Sequence, residues 1–547
     1  MRNCRIRGER ATLAPSERVR YGSRTAVSRW WVQQAMATND PQKDAVTAAR
    51  DTEIPAKTAT DTPPAAHGAG PGVRSRKRVK RGGPVGTMRL AAALSAGKLA
   101  AKTGRMLKVG GGTSLPGAVA RRIDPLVLRK VVGASRAKKI VVCGSNGKTT
   151  TCRMLDAIAR GGGRHVTQNR SGSNLLPGVT AVAVNGASIF GRLDADVLVF
   201  EVDEATIRYA VPEIEPDVVI VNNIFRDQLD RYGELYSVAR ALEAMIRELP
   251  PEATVVLNGD DPLVASFAPD AACHRLYFGM RTDDVGTQVP EHAADTIRCV
   301  RCQHDLDYTQ AYISHLGAYR CPNCGYARPP LDVAVTHTRL DPLGPTQVTL
   351  ETPAGPLAYD LALQGLHNVY NSAGAVAGAL ALGLDLAAVP DAYATLRPAF
   401  GRLEDITAGD KHIVLAFVKN PISYNTTLRT ILQRPGMKHV LSCHSNAVTD
   451  GEDFAWLWDI DLEDLTPQLA SLVTSGTKAD ELAMRFKYAG VPEDKMRVIA
   501  ERPAALDAAL ASVEPGGTLY ILAGYTPLHE LRRVMMQRGW VPPFWEE

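Results

Sequence analysis

KKIVVCGSNGKTTT, residues 138–151, decides the fold. A short apolar run at 140–143 passes into Gly144-Ser145-Asn146-Gly147-Lys148-Thr149-Thr150, and a helical pattern takes over at 154–159. The order is strand, phosphate loop, helix. Such a loop binds a polyphosphate because backbone N–H groups and the helix N-terminus point at the anion, and glycines let the backbone come close. Lys148 is expected on the β- and γ-phosphates and Thr149 on Mg2+, with Gly144, Asn146, Gly147 and Thr150 completing the cradle. The general eight-residue nucleotide pattern needs glycine where this chain has Val142, so the loop is a shorter variant.

Working outward, apolar runs recur at 197–200, 218–221 and 255–257, separated by helix-like stretches such as 237–248. Strands alternating with helices give an α/β fold with a mostly parallel, doubly wound sheet. Ligands of such sheets lie beyond the carboxyl ends of the strands. The polar residues that end these runs therefore matter most: Glu201 with Asp203 and Glu204, Asn222 with Asn223, and Asn258 with Asp260 and Asp261. Glu201 is a candidate magnesium ligand, since a hard cation takes oxygen donors. A helix cap is the plainer reading of the same acid. The segment 223–233 packs Arg226, Asp227, Gln228 and Asp230 where a crevice is expected, although Asp227 and Asp230 could simply start a helix.

The 547 residues are 45% hydrophobic and 22% charged, enough for several globular domains. No apolar run reaches the roughly 18 residues of a membrane-spanning helix. The formal charge of +5 hides an asymmetry, because residues 1–87 carry 17 Lys and Arg against 7 Asp and Glu. The rest is mildly acidic, so overall basicity gives no reason to expect a nucleic-acid partner. Residues 1–87 are poorly patterned and read as a disordered basic extension. Patterning begins at Met88, and 88–108 reads as a basic amphipathic helix that packs on the next domain or touches a membrane surface.

Four of the nine cysteines, Cys299, Cys302, Cys321 and Cys324, form two Cys-x2-Cys knuckles with 18 residues between them. That spacing is a zinc ribbon, and four thiolates close the coordination sphere, so the Zn2+ is structural. Beyond it, Asn368 sits at a helix start, where it could read an adenine edge or cap the helix. Gly401 and Arg402 mark a hinge, and Arg402 could hold a positive charge over phosphates. From 412 onward a second alternating unit begins, a further α/β domain without a phosphate loop. Its polar clusters are Lys419-Asn420-Pro421 and the run from Asn446 through Asp450, Asp453, Trp456 and Trp458 to Asp459. Those tryptophans serve either a binding surface or a buried pair.

Taken together, the loop at 144–150, Glu201, the 223–230 segment, Asn258-Gly-Asp-Asp, Gly365-Leu-His-Asn-Val-Tyr-Asn and Gly401-Arg402 resemble the Mur ligase family. The ribbon, the run at 225–234 and Asp-Gly-x-Asp-x-x-Trp-x-Trp-Asp narrow the resemblance to the family's MurT-type branch, the synthetase subunits of lipid II isoglutaminyl synthase. The resemblance implies a Mur ligase-like central ATP-binding domain at 88–400 with the ribbon inserted at 296–328. A Rossmann-like C-terminal α/β domain follows at 401–547. It further implies ATP-dependent amidation of the α-carboxyl of D-glutamate in the lipid II stem peptide, through an acyl phosphate. Ammonia would come from a GatD-like glutaminase subunit bound to the C-terminal domain, with Asp450 or Asp453 completing that partner's catalytic triad. Lys148 and Glu201 take the catalytic roles on the ATP side. The chain would then be cytoplasmic, meeting the inner face of the membrane through its substrate. An amino-acid-adding Mur or folylpolyglutamate-type ligase is the alternative. Gln228 departs from the family, standing where amino-acid-adding members often carry histidine, and Thr449 and Ala455 depart in the C-terminal run.

Overall fold

The computed structural model describes residues 84–106, 114–169, 173–226, 235–291, 294–398, 401–447, 450–451 and 453–542. Most of the expected extension, and Asp227, Gln228 and Asp230, lie outside them. Residues 84–87, assigned from sequence to the extension, instead form the first turn of a helix, Pro84–Met106. That helix packs on Leu115–Ile123 and Leu176–Gly186 through Leu90, Ala93, Leu94 and Gly97.

The strands of the first part of the chain are β1 (Lys138–Cys143), β2 (Val166–Gln168), β3 (Val197–Glu201), β4 (Val218–Val221), β5 (Thr254–Asn258) and β6 (His274–Met280). They continue with β7 (Asp307–Ile313), β8 (Leu316–Arg320), β9 (Val333–Arg339), β10 (Thr346–Thr352) and β11 (Gly355–Leu361). Nine of them form one sheet in the order β11-β10-β9-β6-β5-β4-β1-β3-β2. Every pair from β2 to β9 is parallel, and near the edge β10 runs antiparallel to both β9 and β11. Period-two alternation sends Val141 and Cys143 into one core and Ile140 and Val142 into the other. Both faces are therefore covered by helices, which explains why β1 and β4 read as unbroken apolar runs. The chain leaves β1 toward β3 on one side and β4 on the other, opening a crevice above the end of β1.

Strands β7 and β8 form a separate antiparallel hairpin, the body of the ribbon. A second sheet holds β12 (Arg402–Ala408), β13 (Lys411–Phe417), β14 (Lys438–Cys443), β15 (Leu469–Ser475), β16 (Met496–Val498) and β17 (Thr518–Ala523). Its order is β12-β13-β17-β14-β15-β16, parallel except for β12. The expected α/β class thus holds for both sheets. At the junction Gly401 and Leu403 have φ of 63° and 56°, and Leu403 is the extra residue of a bulge between Arg402 and Glu404.

Candidate active site

The loop that follows β1 is clamped by the end of β4. Ser145 N–H donates to Asn223 O at 2.9 Å, and Asn146 N–H donates to Asn223 Oδ1 at 2.9 Å. Asn222 Nδ2 reaches Thr151 Oγ1 at 3.0 Å and is backed by Asn258, whose amide donates to Asn222 O at 2.8 Å. Gly147 has φ of 84°, and a Cβ there would lie 2.0 Å from Asn371 Oδ1, so any other residue would be strained and would displace the Asn371 side chain from the helix Leu366–Leu382. The next helix, Lys148–Gly161, starts directly at the loop and aims its N-terminus into the crevice.

Lys148 is buried beneath this loop, with Nζ donating to Gly144 O and pairing with Glu204 Oε1 at 3.0 Å. Burial works against its ammonium, but Glu204, Asp203 and Glu201 outweigh that penalty and hold its pKa above the ordinary lysine value. Burial pushes the Glu204 carboxyl upward against the pull of Lys148. Thr149 Oγ1 donates to Glu201 Oε2 at 2.9 Å. Glu201 is held by two asparagines: Asn169 exchanges hydrogen bonds with its backbone at 2.7 and 2.8 Å, and Asn174 Nδ2 approaches Oε1 at 3.3 Å. A hydroxyl beside a buried carboxylate, next to a lysine, is a donor set of hard oxygens that would suit a magnesium ion.

Asn146, Gly147, Thr150, Asn368 and Arg402 all line one cleft, which is closed on its far side by the C-terminal sheet. Asn368 Nδ2 donates to Gln364 O and its Oδ1 accepts from Asn371, so this residue is tied to its own helix turn as well as facing the cleft. The Arg402 guanidinium lies 5.0 Å from the centre of the Phe417 ring, and burial lowers its pKa while Glu201 partly restores it. Burial, with Arg402 adding to it, pulls His367 down to about 4, so a neutral imidazole also faces the cleft. Its Nδ1 and Asn146 Nδ2 are buried with no hydrogen-bond partner among the described residues. Orphaned polar atoms of this kind are groups that a polar ligand would satisfy. From the C-terminal domain, Asn420 caps the helix Pro421–Leu432 and its amide reaches Asn146 Oδ1 at 3.5 Å. Lys419 exerts its charge on Glu204.

The four ribbon cysteines converge, with all Sγ atoms within 4.8 Å and the pairs Cys299–Cys324 and Cys302–Cys321 at 3.5 Å. Four thiolates about 2.3 Å from one ion would sit roughly 3.8 Å apart, so the cluster fits tetrahedral zinc. Tyr326 OH donates to Pro262 O at 2.6 Å and ties the ribbon to the large sheet. Just beyond the ribbon, Arg328 pairs at 3.1 Å with Asp260, which also accepts from Tyr370 OH at 2.7 Å and Met280 N–H at 2.7 Å. Burial drives the Asp260 carboxyl up to about 6, against the pull of Arg328 and Tyr370.

Asp450 and Asp453 occupy different settings. Asp450 uses both oxygens within the chain, Oδ2 accepting from Ser445 Oγ at 2.5 Å and Oδ1 from Thr526 N–H at 2.9 Å. It thereby caps the helix Tyr525–Gln537 from outside. Asp453 is exposed and accepts from Ala455 N–H at 2.9 Å. The tryptophans divide in the same way: Trp456 packs among His444 and Phe454, whereas Trp458 is 53% exposed.

The structure therefore gathers Lys148, Thr149, Glu201, Asn368 and Arg402 around one loop; Ile313 and Leu316 of the ribbon hairpin line the same cleft, whereas the four cysteines and Asp450 and Asp453 do not. Sequence reading missed Asn169, Asn174 and Asn371. The first two follow β2, so the strand-end rule applied to that short strand would have found them. Asn371 was quoted only as part of a motif, and its packing on Gly147 has no local signal.

The Mur ligase middle domain family matches residues 142–327, and the MurT ligase C-terminal family matches 417–528. The lipid II isoglutaminyl synthase (glutamine-hydrolyzing) subunit MurT of Streptococcus pneumoniae is 32% identical over 435 residues, covering 79% of this chain and 94% of the relative. The chain belongs to the MurT family of Mur ligases. The MurT subunit of Staphylococcus aureus is 29% identical, over 76% of this chain and 91% of its own. Among solved structures, a pseudomurein peptide ligase type C from Methanothermus fervidus superposes with a TM-score of 0.60 at 21% identity, covering 75% of this chain and 81% of that one. The MurF ligase of Thermotoga maritima, solved in complex with ADP, gives 0.53 at 16% identity, covering 76% and 83%. These likenesses establish the Mur ligase architecture, and the MurT family model spans both Lys419 and the 450–453 turn.

Proposed function

We propose that this chain is the ATP-dependent synthetase subunit that amidates the α-carboxyl of D-glutamate in the lipid II stem peptide, giving D-isoglutamine. The similarity to a named MurT subunit across both sheets, and 94% of that relative's length, carries the reading. ATP supplies the leaving group: the substrate carboxylate attacks the γ-phosphorus, the β–γ bridge breaks, and ADP departs. Ammonia then adds to the acyl phosphate carbon, loses a proton and expels phosphate. The overall outcome is one amide formed for one ATP split. Lys148, already charged and aimed through the loop, neutralises the charge that develops on the transferring phosphoryl group. On this reading it exchanges Glu204 for phosphate oxygens. Thr149 and Glu201 would hold Mg2+, which offsets phosphate charge when bound. Arg402, His367 and Asn368 bind the nucleotide in the cleft, and Lys419 with Asn420 brings the second domain to the phosphates.

Free ammonia is scarce near neutral pH, so a GatD-like glutaminase partner supplies it. The turn at 450–453 lies on the C-terminal domain, and of Asp450 and Asp453 only Asp453 is exposed and free of a second anchoring bond among the described residues. Asp453 is therefore assigned as the residue that orients the partner's catalytic histidine, and Asp450 as the one that holds the turn. The four cysteines would hold a structural Zn2+ that stabilises the ribbon. No helix among the described residues is long and apolar enough to cross a membrane, and the reading places the reaction on the cytoplasmic side. The test is Lys148→Ala: ATP hydrolysis should be lost while the glutaminase still co-purifies, because loop and turn belong to different sheets. Retained hydrolysis would refute the site.

A further inference from the structure

We propose that the outer face of the helix Pro84–Met106 docks on an anionic lipid bilayer. The helix is apolar on two sides. Its inner stripe, Leu90, Ala93, Leu94, Gly97 and Ala101, is buried against the body. Val85, Met88, Ala92 and Leu99 fall on the opposite side by their spacing of three, four and seven. There Val85 is 80% exposed, Met88 72% and Leu99 65%. A helix that only needed to pack on the domain would carry polar residues at those positions.

Charge decides the occupant. The helix carries Arg89, Lys98, Lys102 and Arg105 and no acid, whereas Arg121, Arg129 and Lys130 farther along are paired with Glu213, Glu215 and Asp124. From residue 133 onward acids outnumber bases by 50 to 37. Lys102 is exposed on the helix, and Lys98 lies along its flank with Nζ on Asn185 O at 3.2 Å. Bases alone would suit RNA equally well. Exposed valine, methionine and leucine beside them suit the boundary between headgroups and acyl chains, where apolar burial and attraction to anionic lipid add. The proposal stands on this surface chemistry and not on the amidation reading, so either can fail alone, though a lipid-linked substrate would make the docking useful.

The test is sedimentation of the full chain with vesicles of phosphatidylcholine, with and without phosphatidylglycerol, for the wild type and the variant Met88→Ser/Leu99→Glu. Wild type should bind the anionic vesicles preferentially, and binding should weaken with salt. The double variant, with unchanged circular dichroism and ATP binding, should lose about tenfold in partitioning. Equal partitioning of variant and wild type would assign any binding to the basic run at 74–81 and overturn the proposal. So would an absence of lipid preference, or RNA binding that the same variant abolishes.

Discussion

Thr149 Oγ1 donates to Glu201 Oε2 across 2.9 Å, joining the residue after the loop lysine to the last residue of the neighbouring strand. The parallel pairing of β1 with β3 makes this contact, because Val142 is in register with Glu201 and both strands end at the same height. Glu201→Gln keeps the shape and removes the charge. It should lower ATP turnover by about 10²-fold or more while leaving the melting temperature nearly unchanged. Restoration of turnover by raised magnesium would locate the defect at the ion, and an undiminished rate would remove Glu201 from the mechanism.

Asp450 and Asp453 should separate by assay. Asp453→Asn should reduce glutamine-dependent amidation by about 10³- to 10⁴-fold and leave amidation from added ammonium salts intact. Asp450→Ala removes an outside cap from the helix Tyr525–Gln537 and should cost about 1–2 kcal/mol of stability, measured by chemical denaturation. Reversed phenotypes would reverse the assignment.

How much of this was legible before the structure depends on how local each signal is. Lys148, Thr149 and the four cysteines are spelled out over a few residues, and the fold supplies their distances without altering the reading. Glu201 needed only the rule that strand ends face the crevice. Asn371 against Gly147 joins positions 224 residues apart and leaves no mark on either segment. Likewise, Asp450 and Asp453 are three residues apart in a turn of irregular backbone, where no period says which side chain points inward. The helix Tyr525–Gln537, distant in sequence, and Ser445 distinguish them by bonding Asp450.

Asp260 gives a pH dependence with a definite sign. Its pKa stands at about 6 in the folded chain against an ordinary 3.8, so between those values the folded state keeps a proton that the unfolded state loses. Its contribution to stability is therefore present below the lower value and lost as pH rises through about 6, by up to about 1.4 kcal/mol per pH unit. The melting temperature of Asp260→Asn minus that of the wild type should rise between pH 4 and 6 and then level off. A constant difference would mean that the carboxyl titrates normally.

The ribbon should behave as a metal-held unit. Cys321→Ser should lower zinc content by elemental analysis and cost at least ~2 kcal/mol of the roughly 10–16 kcal/mol that structural zinc contributes. Because Asp260 joins Arg328, next to the ribbon, to Tyr370 on the cleft helix, ATP affinity should fall as well. Unchanged zinc content would refute the site.

The most direct measurement is the mass of lipid II after incubation with this chain, ATP, magnesium and glutamine, with and without the GatD-like glutaminase. The account predicts, only when partner and ATP are both present, a product lighter by the difference between a hydroxyl and an amino group, with one ADP formed per amide. An unmodified lipid II in the complete mixture, or a product that has gained a whole amino acid, would contradict it.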